Sequence, residues 1–182
     1  MTRPGELKLK HLFQPGQFGK FKTKNMVKYG ACCVSNYNTR DGFITPRELA
    51  RMRVIAGTGC GLITNQGAYP DPWGEGKAYF RQVAIHDDKF LPQFEMIARY
   101  IHDAGAMAMQ QILHAGRYAK CSDLVGASDI ASPINRRKPH VLADAEVERT
   151  IEAFVSCAAL AQEAGYDGVE IMASEGYLIT QF

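Results

Sequence analysis

The sequence predicts an α/β fold built on a parallel sheet, and of the two architectures that satisfy this, a doubly wound open sheet and a (β/α)8 TIM barrel, it points to the barrel. Three observations carry the prediction. A helical pattern closes on Ala-Gly and runs straight into an apolar stretch at Ala56-Gly57, Ala104-Gly105 and Ala164-Gly165. A repeated helix-to-strand step with right-handed crossovers puts the strands parallel. No glycine-rich phosphate loop follows the first strand, where a doubly wound nucleotide fold would carry one; Cys32-Cys33-Val34-Ser35-Asn36-Tyr37 stands there instead. A complete barrel needs roughly 200–250 residues or more, so these 182 residues supply about the first three and a half β/α units, and the apolar close Gly176-Tyr177-Leu178-Ile179-Thr180-Gln181-Phe182 reads as a truncation within the domain.

The elements follow in order. A first strand is expected over residues 25–31. Thr45-Pro46-Arg47-Glu48 has the form of a capping box with proline at the first helical position, which starts a helix over about residues 46–56. A strand over residues 61–64 comes next. Asp87 or Asp88 caps a second helix, whose apolar positions Phe90, Phe94, Ile97, Ile101 and Ala104 keep helical spacing, with Pro92 tolerated near the first turn. Residues 107–113 form the third strand. A third helix begins at about Asp144 and buries the stripe Val147, Ile151, Phe154, Ala158 and Ala161, leaving Glu146, Glu148, Arg149, Glu152 and Gln162 to water. Residues 168–172 make the fourth strand. Each glycine after a helix is expected to supply the left-handed turn that ends it.

Composition narrows the function classes. With 46% hydrophobic and 22% charged residues the chain is that of a folded globular domain. A net charge of +2, from 21 basic and 19 acidic residues spread along the sequence, is too small and diffuse for a nucleic-acid footprint. No apolar run is long enough to cross a membrane, and Met1-Thr2-Arg3-Pro4-Gly5-Glu6 lacks the apolar core of a leader, so the expectation is a cytoplasmic protein with no membrane partner. Cys32, Cys33, Cys60, Cys121 and Cys157 are odd in number and contain no C-x-x-C, which supports neither a disulfide framework nor a metal site.

In both candidate architectures ligands lie beyond the carboxyl ends of the strands. The residues there are Ala31, Cys32 and Cys33; Asn65, Gln66, Gly67 and Ala68; Gln111, His114, Gly116 and Arg117; and Ser174, Glu175, Gly176 and Tyr177. Amides, small residues and one arginine suit the edge of a planar heterocycle, because an amide both donates and accepts while small residues let backbone approach; a wet loop rim is the plainer reading. Gln111 sits in an apolar strand and needs a partner, either a ligand or a neighbouring backbone group. His114 taken alone reads as a satisfied structural histidine. Cys32-Cys33 reads as packing rather than a redox pair, since adjacent cysteines form strained disulfides. Arg136-Arg137-Lys138 with His140 reads as a solvated loop, against a perch for ligand phosphates.

Three longer motifs are more specific. Gln111-Ile112-Leu113-His114-Ala115-Gly116-Arg117-Tyr118, then Ser132-Pro133-Ile134-Asn135-Arg136 with Pro139-His140, then the run from Ala164 through Gly176-Tyr177-Leu178-Ile179 resemble the flavin-dependent old yellow enzyme family, most of all its NADPH-dependent 2,4-dienoyl-CoA reductase branch. Leu12-Phe13-Gln14-Pro15, Lys24-Asn25 and Gly61-Leu62-Ile63-Thr64 match the family's start, so the resemblance covers nearly the whole chain. It implies that residues 1–182 are the N-terminal part of one FMN-binding TIM-barrel domain, with Ala31, Cys32, Cys33 and Gly67 lining the flavin ring and Gln111 hydrogen-bonding its pyrimidine side. NAD(P)H is the implied reductant. In the dienoyl-CoA reductases an FAD domain and a 4Fe-4S iron–sulfur cluster follow the barrel, and the flavin's phosphate is held by later loops. Many members hold a substrate carbonyl with a His pair, or His and Asn, on strand four; Met172 and Glu175 occupy those places here, in the Ser-Glu-Gly-Tyr version seen in the dienoyl-CoA reductases. By that resemblance Tyr177 delivers a proton, with Glu175 placed to orient its phenol. The implied function is reduction of a conjugated C=C bond in an acyl-CoA (enoyl or dienoyl) substrate. The alternatives are a general ene-reductase acting on free enoates or enones, and a non-catalytic half-barrel that forms a homo-oligomer through exposed sheet edges.

Overall fold

In the computed structural model, which describes residues 8–121 and 123–182, four parallel strands carry the architecture. The expectation about a leader at residues 1–6 lies outside the described residues. In chain order a hairpin of β1 (Gly16–Phe18) and β2 (Phe21–Thr23) precedes β3 (Lys28–Tyr29), α1 (Pro46–Ala56) and β4 (Leu62–Ala68). Then come α2 (Leu91–Asp103), β5 (Met107–Ile112), β6 (Val125–Gly126), β7 (His140–Val141), α3 (Asp144–Glu163) and β8 (Gly168–Ile171). The main sheet runs β3-β4-β5-β8, all parallel, with Ile63 opposite Ala108 and Gln111 opposite Glu170.

The helices lie on one face of this sheet. Met52 of α1, Phe94, Ile97 and Ile101 of α2, and Cys157 and Ala161 of α3 bury against Ile63, Ala108 and Ile112 of the strands. A polar ladder is threaded through that layer: Asn65 Nδ2 donates to Gln110 Oε1 at 2.9 Å and to the Tyr166 hydroxyl at 3.2 Å, and Gln110 Nε2 donates to the Gln66 carbonyl at 2.9 Å. The opposite face carries Leu62, Met107 and Met109, which cluster with Phe21 of the hairpin. A doubly wound sheet would carry helices on both faces; one helical face and one inward face is barrel wall.

Several expectations need correction. The first strand pairs only over Lys28–Tyr29, because the chain beyond it is drawn aside by contacts described below. The second is longer than its apolar core and runs through Asn65, Gln66 and Gly67 to Ala68, all buried, with a register shift against β5. Its polar run Asn65-Gln66-Gly67 hid it, the two side-chain amides being spent on buried partners. The hairpin and the short parallel pair β6-β7 have no periodic signal in the sequence.

The capping box at Thr45 does not form. Thr45 donates its hydroxyl to the Tyr37 carbonyl, and Glu48 is fully buried and engaged elsewhere. Gly105 and Gly165 adopt the left-handed conformation (φ 69° and 87°), but Gly57 does not (φ −71°), the left-handed residue falling two later at Gly59. On α3 the buried line is Thr150, Cys157 and Ala161, while Ile151 and Val155 are 48% and 57% exposed. These two, with Val147, Phe154, Leu142, Ile171, Leu178 and Phe182, line an apolar groove beside β8. The expected stripe therefore splits between two neighbours: the sheet takes one side, and the groove side is open.

Candidate active site

Glu170 organises the inner face of the sheet. It accepts from Gln111 Nε2 at 2.8 Å, from the Thr64 hydroxyl at 3.3 Å and from the Lys28 ammonium, three strands converging on one carboxylate. Burial pulls its pKa up, but the hydrogen bonds from Lys28 and Gln111 outweigh that and hold it below the ordinary glutamate value, so it stays ionised. An ionised carboxylate accepts only, which fixes Gln111 with its NH2 toward Glu170 and its Oε1 turned away. Gln111 Oε1 accepts no hydrogen bond from the described residues, and it lies 2.8 Å from where a Cβ on Gly67 would stand, with Leu113 Cβ at 3.0 Å from the same point. Glycine at 67 therefore leaves a floor of bare backbone beside an unused amide acceptor at the carboxyl end of the sheet.

The loop after β3 reaches the same place. The Cys33 thiol lies near the Tyr79 hydroxyl and the Gly67 backbone, which favour its thiolate, yet desolvation by its surroundings outweighs them and pushes its pKa up; burial raises Tyr79 likewise. Gln82 supports this corner from the loop after β4, donating to the Gly67 carbonyl at 3.0 Å and accepting from the Ala78 N–H at 2.6 Å. Cys32 turns the other way, its thiol against the Tyr29 phenol. All five cysteines are free thiols.

Tyr177 comes from the segment after β8. Glu175 and Gly176 both take left-handed backbone (φ 61° and 79°), a turn that costs a non-glycine residue about 1 kcal/mol or more and that sets Tyr177 edge-on to Tyr118, ring centroids 6.0 Å apart. The segment is tied to the chain just past β5 through Leu178 N–H, which donates to the His114 carbonyl at 3.1 Å, and is braced internally by Gln181 Nε2, which donates to the Gly176 carbonyl at 2.8 Å. Burial, then the neighbouring Glu175, Cys33 and Tyr118, raise the Tyr177 pKa, so its phenol is protonated at neutral pH. Tyr177 and Glu175 share a cleft with Ala78, Tyr118, Lys120 and Ile134.

The residues expected at the site thus divide. Cys33, Gly67, Gln111, Tyr177 and Glu175 gather at the carboxyl rim of the sheet, while Cys32 turns its thiol to Tyr29 and its carbonyl to Arg51, and no contact among the described residues places Ala31 at the rim. Met172 lies beside Gln111, its Sδ 3.8 Å from Nε2. His114 is buried, its Nδ1 accepting from Gly116 N–H at 3.1 Å, but its Nε2 stands 3.8 Å from Asp71 Oδ1, too far for a hydrogen bond, so only one of its nitrogens is satisfied. Around Arg136-Arg137-Lys138, Lys138 pairs with Asp129 at 2.7 Å, Arg137 donates to the Cys121 carbonyl at 3.0 Å and His140 meets Glu146 at 2.8 Å, which is the solvated-loop reading. Sequence reasoning missed Tyr79 and Gln82, which lie in a loop without periodicity, and the pair Glu48 and Arg51, of which Glu48 read only as the end of a capping box.

Comparison with known proteins bears on the family and the fold. The sequence profile of the NADH:flavin oxidoreductase / NADH oxidase family matches residues 11–182. The probable NADH-dependent flavin oxidoreductase YqiG of Bacillus subtilis is 35% identical over 96% of this chain and 47% of its own length. The metal reductase of Desulforamulus reducens is 32% identical over 94% of the chain and 25% of its own. The chain therefore spans a quarter to a half of the curated relatives it matches. Among solved structures, a 2-naphthoyl-CoA reductase in complex with 2-naphthoyl-CoA superposes with a TM-score of 0.87 at 30% identity, over 94% of this chain and 28% of that one. An old yellow enzyme from a Pichia species superposes at 0.82 with 23% identity, over 92% of this chain and 47% of its own, a likeness of fold. The chain is a partial (β/α)8 barrel.

Proposed function

The chain belongs to the NADH:flavin oxidoreductase / NADH oxidase family, and from that premise we propose that it forms the flavin-facing part of an FMN-dependent, NAD(P)H-consuming reductase of conjugated C=C bonds, with an enoyl- or dienoyl-CoA thioester as substrate. The observation that carries the reading is the convergence of Gly67, the free Gln111 Oε1 and the Cys33 thiol with the Tyr177 phenol at one end of the sheet. An acceptor fixed beside bare backbone fits the N–H of a flavin's pyrimidine ring, and the glycine floor fits a flat ring lying on it. FMN would be held by Gln111 and by the backbone at Ala31, Cys32, Cys33 and Gly67, and when bound it supplies hydride to the substrate's β-carbon.

The chain's own residues do the rest. Glu170 keeps Gln111 oriented with its acceptor outward. Tyr177 holds a proton at its phenolic oxygen through the physiological range and delivers it to the α-carbon, whose developing enolate is a far stronger base than phenolate. Glu175, at the preceding turn, fixes the approach of that ring and discourages early ionisation. Met172 stands where a hydrogen-bond donor to a substrate carbonyl would be useful, and a thioether donates nothing. That favours a thioester, whose carbonyl is activated by its own sulfur, over a free enoate.

In the thioester reading an iron–sulfur cluster and an FAD domain accompany the barrel and relay electrons from the nicotinamide. The second reading is a general ene-reductase on free enoates or enones. Steady-state turnover of matched CoA thioesters and free acids by the holoenzyme separates them: the thioester should be reduced at least ten-fold faster, and equal rates would remove the thioester assignment.

A further inference from the structure

The helix-facing side of the rim holds an ion pair between a fully buried glutamate and a part-buried arginine, in a layer that is otherwise apolar or amide-lined. Glu48, fully buried on α1, accepts from Arg51 Nε at 2.8 Å and Nη2 at 2.5 Å, a two-pronged contact within one helical turn. Each partner also reaches out of the helix. Glu48 Oε1 accepts from Gln66 Nε2 at 2.9 Å, and Gln66 Oε1 in turn accepts from Asn38 Nδ2 at 3.2 Å and faces the Tyr79 hydroxyl at 3.5 Å. Arg51 donates to the Cys32 carbonyl at 3.2 Å and to the Tyr29 hydroxyl at 3.2 Å. One ion pair thus grips both elements that flank the Gly67 floor, the loop after β3 at Cys32 and β4 itself at Gln66.

A pair of this kind is poor economy for stability alone, because desolvating two charges offsets most of their attraction, and packed apolar residues would do as well. What it provides is direction. The planar fork of arginine holds a carboxylate, a carbonyl and a phenol at once in fixed directions, which a lysine's compact ammonium on a flexible stem and an apolar side chain do not. We propose that Glu48 and Arg51 are positioning residues for the flavin: they fix the Cys32 carbonyl and the Gln66 side chain, and through these the backbone against which the ring lies, without touching it. The role rests on the flavin reading above. It also explains why β3 pairs over only two residues, since the chain beyond Tyr29 is drawn toward α1.

The test uses the holoenzyme, the complete barrel that includes this chain, with three changes: Arg51→Met, Arg51→Lys, and Glu48→Gln combined with Arg51→Met. Melting temperature and the FMN dissociation constant of the re-titrated apoprotein are read for each. Arg51→Met strands a buried carboxylate and should lower the melting temperature on the order of 10 °C. The double variant removes both charges and should recover to within a few degrees, while Gln at 48 can still accept from Gln66. FMN should nonetheless bind at least ten-fold more weakly to the double variant and to Arg51→Lys, which keeps the ion pair but loses the fork, and the visible flavin bands should shift. FMN affinity that recovers together with the melting temperature, or that Arg51→Lys leaves unchanged, would overturn the positioning role and leave the flavin reading standing. A parent protein that binds no FMN would remove both.

Discussion

Acid should weaken this fold through His114, and the size of the effect follows from its surroundings. The ring is buried, with one nitrogen occupied by Gly116 N–H at 3.1 Å and the other facing Asp71 at 3.8 Å, so nothing rewards a second proton. Burial pulls its pKa down to about 4, against about 6.5 for an unfolded histidine. A depressed folded pKa contributes stability that is fully present above the unfolded value and is lost as pH falls toward the folded one; here the window is pH 6.5 to 4. At 1.36 kcal/mol for each unit of pH the whole loss is ~3 kcal/mol, of which about 2 kcal/mol falls between pH 7 and pH 5. Asp71 works in the opposite sense. Burial raises its pKa, so its contribution is present in acid and fades as pH rises, flattening the lower end of the same window. Replacing His114 by Gln keeps an acceptor for Gly116 N–H and removes the titration. Urea unfolding at pH 7 and pH 5 should then show a drop in stability about 2 kcal/mol smaller in His114→Gln than in the parent. His86, also depressed by burial, is common to both proteins and cancels. Equal drops would refute the claim that His114 is held neutral by its environment. The consequence reaches the site, because the His114 carbonyl anchors the Leu178 N–H next to Tyr177.

Three further outcomes are expected. Tyr177→Phe removes one hydroxyl and should cut turnover of the holoenzyme by roughly 10²–10⁴ while flavin reduction by the nicotinamide stays near normal; stopped-flow measurement of the two half-reactions decides it, and unchanged turnover would return Tyr177 to packing against Tyr118. Gly67→Ala places a Cβ 2.8 Å from Gln111 Oε1 and 3.0 Å from Leu113 Cβ, which should cost about 1–3 kcal/mol in urea unfolding and weaken FMN at least ten-fold. The groove of α3 and β8 should promote self-association of the 182-residue chain, so Ile151→Lys with Val155→Glu should shift its sedimentation toward monomer with little change in stability, both side chains being largely exposed.

What the sequence disclosed and what it hid follow a physical line. Helices with a clean period and the strands they feed were legible because burial on one face leaves its mark every three or four residues, as at Phe94, Ile97 and Ile101. β4 was legible only at its apolar start: Asn65, Gln66 and Gly67 look like loop until one sees that their amides are spent on Gln110, Tyr166 and Glu48. Glu48 has the local signature of a capping residue, and only the position of Gln66, brought in from β4, recruits it to the interior. The same applies to the site. Gln111 and Tyr177 stand in motifs specific enough to name, whereas Tyr79 acts by its nearness to Cys33 and Gln82 through a hydrogen bond to the Gly67 carbonyl, contacts made only after the loop closes.

The central claim, that this chain supplies the ring contacts of an FMN site while the phosphate is held by barrel units outside it, is tested most directly by visible absorption spectra of the purified 182-residue chain and of a complete barrel that includes it. A dianionic phosphate gains several charge-assisted hydrogen bonds, each contributing on the order of 1.5–3 kcal/mol, so the short chain should be colourless and the complete barrel yellow with one FMN per protein. Stoichiometric flavin bands in the short chain would contradict the division of the site between the two halves, and a complete barrel with no flavin would contradict the site itself.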